Sequence, residues 1–165
     1  MAMAKPPGDP ISHWIAGITL DEHTVVRRNP GIEHERAVAI LDLLEENHFA
    51  PTSGCGGPFH LYLAIEENRL SIHLHSAVNG SRETIVLPLA PFRGIVRDYF
   101  MVCESYYEAI RRSSLSQIEA IDVGRRSLHD EGSTLLIERL ADKVAIDHAT
   151  ARRLFTLICV LHLRG

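Results

Sequence analysis

Between Phe59 and Leu89 apolar and polar residues alternate almost without interruption. Phe59, Leu61, Leu63 and Ile65 alternate with His60, Tyr62, Ala64 and Glu66, and after Glu67-Asn68 the alternation resumes through Leu70, Ile72 and Leu74. A third run carries Ile85, Leu87 and Leu89 beyond Asn79-Gly80, a pair suited to tight hairpins because both residues tolerate positive φ. A period of two belongs to a strand with one buried face, so the segment predicts a three-stranded antiparallel meander. A turn centred on Glu67-Asn68 pairs Ile65 with Leu70, Leu63 with Ile72 and Leu61 with Leu74. A turn centred on Asn79-Gly80 pairs Leu74 with Ile85, Ile72 with Leu87 and Leu70 with Leu89. Both place the aliphatic residues on one face, which a one-residue slip would undo.

Around the meander the period changes. Trp14 to Leu20 is an apolar run bounded by polar turns and predicts a first strand. Asn29-Pro30 opens a helix to about Asn47, with Asn as cap, Pro at the first helical position and Ala37, Ile40, Leu41 and Leu44 as its buried stripe. Asn47 is expected as a left-handed stop, and residues 48–58, with Gly54-Cys55-Gly56-Gly57-Pro58, as a loop. Pro91 opens a second helix, from Phe92 to about Arg112, with Phe92, Ile95, Val96, Tyr99, Cys103, Tyr106 and Ile110 on its apolar stripe. Two overlapping capping boxes, Ser114 to Gln117 and Ser116 to Glu119, start a third helix near Ser116 that runs to about Lys143. Val144-Ala145-Ile146 is short and extended. Asp147 caps a last helix, from Ala149 to Leu163, so apolar around its circumference that it belongs in the core or at a subunit interface. The expected fold is α+β, a meander plus an N-terminal strand backed on one face by about four helices. Residues 1–12 form a disordered lead and 13–165 a single domain.

Composition narrows the class. The 165 residues suffice for one domain with a core of its own. No apolar run approaches the roughly 20 residues that cross a bilayer, and the N-terminus lacks the apolar stretch of a secretory signal. Three widely spaced cysteines, Cys55, Cys103 and Cys159, argue against a disulfide framework and for a reducing, cytoplasmic setting. The net charge of −4, with basic and acidic residues interleaved, disfavours nucleic acid as a partner.

Several longer runs are distinctive, among them His34-Glu35-Arg36-Ala37-Val38-Ala39-Ile40, Cys103-Glu104-Ser105-Tyr106-Tyr107-Glu108-Ala109-Ile110, Ile118-Glu119-Ala120-Ile121-Asp122, Gly124-Arg125-Arg126 and Ala151-Arg152-Arg153-Leu154-Phe155-Thr156-Leu157-Ile158. In these the chain resembles an uncharacterised bacterial protein family with no established function, over nearly its whole length after about Trp14. The resemblance implies a bacterial intracellular protein and carries over no catalytic or binding residue.

Ten histidines are the unusual feature of the composition, and histidine is both a common metal ligand and the side chain that titrates near neutrality. The meander register sets His60 opposite His75 and Tyr62 opposite His73 on the non-aliphatic face. His60, His73 and His75 are therefore candidate ligands for a divalent metal, in a small metal-dependent hydrolase. The plain alternative is a solvated sheet face. A second cluster centres on Arg125 and His129, which share a helical strip facing Glu104, Tyr107 or Glu108 of the second helix. An arginine fork beside histidine suits a phosphate or carboxylate; the plain alternative there is a surface ladder of ion pairs through Asp122, Arg126 and Asp130. The acids of the first helix, Glu33, Glu35, Asp42, Glu45 and Glu46, read as solvated surface. The Gly54–Gly57 loop lacks the ending of a phosphate-binding P-loop, and no nucleophile, zinc-protease or dinucleotide motif occurs. Catalysis is left open. A binding or regulatory module acting through contacts with an unidentified protein partner or as a homodimer, by way of the last helix or the free sheet face, is the leading expectation, with the metal and anion sites as alternatives.

Overall fold

The computed structural model describes residues 13–22, 30–78 and 80–162. The proposed lead at 1–12 and the cap at Asn29 lie outside them. In chain order the elements are β1 (Ile15–Leu20), α1 (Pro30–Glu45), β2 (Phe49–Pro51), β3 (Phe59–Glu66), β4 (Arg69–Ser76), β5 (Arg82–Pro88), α2 (Arg93–Arg112), α3 (Leu115–Leu140), β6 (Val144–Ile146) and α4 (His148–His162). The fold is α+β as expected. β3, β4 and β5 form the meander and β1 joins it parallel to β3, giving the order β1-β3-β4-β5. Residues 48–58 are not all loop: β2 pairs antiparallel with β6 to make a separate two-stranded ribbon.

The first hairpin has the predicted register, Ile65 with Leu70 through Leu61 with Leu74, and Glu67 and Asn68 take the positive φ that its two-residue turn requires. The second is shifted by two residues. Leu70 pairs with Leu87, Ile72 with Ile85 and Leu74 with Glu83, because Ser76 closes on Ser81 and the connection is longer than the two residues expected. A two-residue shift preserves sidedness, so Ile85 and Leu87 still face inward.

That inward face meets the helices. Leu63, Leu70 and Ile72 pack toward Leu136 and Leu140 of α3 and Leu154 and Ile158 of α4. α4 is the central element. From Thr150 to Leu161 every residue is buried except Arg152 and Arg153, which are half-buried. Asp147 caps it by accepting from the Thr150 N–H at 2.9 Å, and Ser114 with Gln117 forms the capping box of α3.

On α1 the buried stripe is only partly the one expected: Ile40 and Leu44 are half-buried against the core. Ala37 is exposed and Leu41 is 71% exposed, whereas Ile32, Glu35, Ala39 and Leu43 face the core. Nor does Asn47 stop the helix through a left-handed backbone. Its side chain caps the Leu43 carbonyl at 2.8 Å and bridges the N–H and C=O of Ile15, tying the end of α1 to the start of β1. On α2, Val96, Tyr99 and Cys103 are buried as predicted, while Ile110 is half exposed. No helix among the described residues is long and apolar enough to cross a membrane.

Candidate functional site

The rotation of α1 turns Glu35 inward, to 8% exposure. A buried carboxylate is tolerated only when donors replace its water, and three side chains do so. Tyr99 Oη donates to Oε1 at 2.8 Å and Tyr107 Oη to Oε2 at 2.9 Å, both from α2. Arg125 Nη1, from α3, donates to both oxygens at 3.2 Å. The rest of the Arg125 fork is held by Asp122 Oδ1, at 3.2 Å from Nε and 2.9 Å from Nη2, and its Cζ lies over the Tyr106 ring, 4.8 Å from the centroid. Burial works against the charge on Arg125, but Glu35 and Asp122 more than offset it, so the guanidinium is held more firmly protonated than in water. Burial and the Glu35 charge push both tyrosine hydroxyls up, fixing them as donors.

His129 extends the network one step inward. Its Nε2 lies 3.0 Å from both Tyr99 Oη and Thr156 Oγ1. Tyr99 gives its hydrogen to Glu35, and Thr156 gives its own to the Arg152 carbonyl at 3.1 Å. Both hydroxyls are therefore acceptors toward His129, which assigns the Nε2–H tautomer and leaves Nδ1 a buried lone pair with no donor among the described residues. Burial, reinforced by the nearby Arg152 charge, pushes the imidazole down to about 4. Near neutral pH it is an uncharged donor.

Beside this network a cleft of about 230 Å³ opens between α1, α3 and α4, lined by His34, Glu35, Val38 and Ala39, by Arg125, Arg126 and His129, and by Arg152, Arg153 and Thr156. Four arginines line it, with Glu35 as the one acidic residue. Three have partners: Arg125 as above, Arg126 with Asp122 at 3.2 Å, and Arg153 with Asp42 at 3.5 Å. Arg152 has no carboxylate partner among the described residues, and its Nε is buried without an acceptor.

The structure thus brings together Arg125, His129 and Tyr107 of the expected anion cluster, though Arg125 turns to Glu35 rather than to an acid of α2. Glu104 is exposed on α2 and takes no part. The reading of Glu35 as solvated surface is overturned by its burial. Arg152, Arg153 and Thr156 were missed, although adjacent arginines in an otherwise apolar helix were a visible signal. Asp130 approaches His148 at 4.0 Å instead of completing the ladder with Arg126.

On the far side of the sheet, His60 faces His75 and Tyr62 faces His73 in the expected register, and the four side chains are exposed. His60, however, turns across β1. Its Nε2 meets Thr19 Oγ1 at 2.8 Å, and a Cβ on Gly17 would come 2.5 Å from its Nδ1. His73 is engaged by Thr84 at 3.0 Å. Among the described residues no group of three or more histidine, cysteine or carboxylate side chains is arranged to hold a metal ion. Cys103 and Cys159 lie in the core, where burial pushes both thiols up, and Cys55 sits half-buried 3.3 Å from Ser81 Oγ.

A model of the family described as "Uncharacterised protein family (UPF0262)" matches residues 12–164. The chain is similar to a UPF0262 protein of Rhodospirillum rubrum, 60% identical over 148 residues that cover 90% of this chain and 91% of the relative. A UPF0262 protein of Nitrobacter winogradskyi is 53% identical over 165 residues, covering 100% of this chain and 99% of its own. A Bradyrhizobium relative is 55% identical over 161 residues, covering 97% and 96%. No solved structure matches.

Proposed function

We propose a function from the cleft itself, because the chain belongs to the uncharacterised protein family UPF0262, whose description assigns none: the protein binds a small anion between α1, α3 and α4. One observation carries this reading. In a cleft with four arginines, the buried Nε of Arg152 has a hydrogen to donate and no acceptor among the described residues. A hydrogen bond from a guanidinium to an oxyanion is charge-assisted and roughly twice as strong as a neutral one, so the Arg152 Nε–H is the donor in this cleft that such a group would engage. Glu35, Asp122 and Asp42 hold the other three guanidiniums in place and keep their mutual repulsion small.

A protein-contact module remains the second reading. The last helix does not favour it, because α4 is covered within the chain by α1, α3 and the sheet. The exposed face carrying Tyr62, His73 and His75 is the surface a partner or second copy would use.

The anion reading is tested by melting the full chain in phosphate or sulfate against chloride of equal ionic strength. A ligand at 100 times its Kd stabilises by about 2.7 kcal/mol. Excluded salts also stabilise generally, so the comparison is with Arg152→Gln. Wild type should gain several degrees more than this variant. Equal gains would remove the proposal.

A further inference from the structure

Resting on the anion reading, we infer that the cleft takes a small phosphate monoester, a phosphoryl group carrying a short organic body, rather than free phosphate, a carboxylate or a nucleotide.

The charge pattern points to the phosphoryl group. Arg125 is committed to Glu35 and Asp122, Arg126 and Arg153 have one carboxylate partner each, Asp122 at 3.2 Å and Asp42 at 3.5 Å, and Arg152 has no carboxylate partner among the described residues. Arg126, Arg152 and Arg153 thus line one cleft from two helices, α3 and α4. A carboxylate offers two acceptor oxygens and a single charge, whereas a phosphoryl dianion presents three acceptor oxygens and about twice the charge, the better match to several guanidiniums.

The volume points to the organic body. The cleft of about 230 Å³ has room for several waters. A bare tetrahedral oxyanion leaves much of that space unfilled. Drug-sized ligands occupy pockets of roughly 300–1,000 Å³, so a nucleotide base and ribose exceed it. The wall opposite the arginines is supplied by α1, where Val38 and Ala39 give an apolar surface beside His34. This is a place for a few carbon atoms.

The experiment is titration calorimetry of the full chain with inorganic phosphate, glycerol phosphate, succinate and adenosine monophosphate. Glycerol phosphate should bind about tenfold tighter than each of the other three, a difference calorimetry resolves. Arg152→Gln should abolish that binding. Arg152→Lys, which keeps the charge but loses the Nε–H and the fork, should weaken it by about tenfold. Val38→Phe, at a partly exposed position of α1, should weaken the ester while leaving inorganic phosphate unchanged. Equal affinity for phosphate and its ester, tightest binding of succinate, or full-strength binding of the nucleotide would each overturn the ligand class while leaving an anion site. No binding of any of the four by folded wild type would overturn both.

Discussion

His129 shows how a polar residue can belong to the interior. With both neighbouring hydroxyls committed elsewhere, its neutral Nε2–H form is the one that fits. The unfolded imidazole titrates at 6.5, the folded one at about 4. Between these values the unfolded chain binds the extra proton, so stability rises with pH across that window and this contribution is flat above it. The shift corresponds to something on the order of 3 kcal/mol. Urea unfolding between about pH 4.5 and 6.5 should show this slope, and His129→Gln should flatten it; an unchanged slope in the variant would refute the assignment. Glu35 was harder to read. It sits among four other acids of the same segment, and charge alone does not say which faces inward. The spacing of Ile32, Glu35, Ala39 and Leu43 does carry the information, since these share one helical face. Leu41 and Leu44 suggest a competing stripe of equal apolar weight, and only tertiary packing decides between them.

At the level of elements, the strands were the more legible. Period-two alternation determines sidedness, and sidedness survived the shifted second hairpin because the shift was even. The exact register was not legible, since Ser76 and Ser81 close the connection by backbone bonding that Asn79-Gly80 does not announce. β2 was invisible for a related reason. It is three residues long, ends in proline and gains its partner β6 from far along the chain. The approach of α3 to α4 depends on a single missing atom. A Cβ on Gly132 would lie 2.5 Å from Cε1 and Cζ of the buried Phe155 ring. Gly132→Ala should therefore destabilise by about 1–3 kcal/mol despite the better helix propensity of alanine, readable as a lower urea midpoint with unchanged m-value. A stabilised variant would mean the helices have room to part.

For the whole molecule, one sheet face and α4 make the core, and the cleft forms where α1, α3 and α4 converge. Its charged residues are separated by most of the chain, from His34 to Arg153, so no local motif could reveal it. What the sequence did offer was the Arg125–His129 strip and the pair Arg152-Arg153 interrupting an apolar helix. Their meeting is a product of topology. The proposed site stands or falls on whether Arg152 takes an anion as its partner. Its Nε–H resonance in a side-chain 1H–15N spectrum, assigned by loss in Arg152→Lys, reports this at the atom concerned. Titration with inorganic phosphate at constant ionic strength should shift this resonance saturably and ahead of the exposed Arg97 and Arg112 resonances. A resonance that stays in place, or drifts with theirs without saturating, would mean that Arg152 binds no anion.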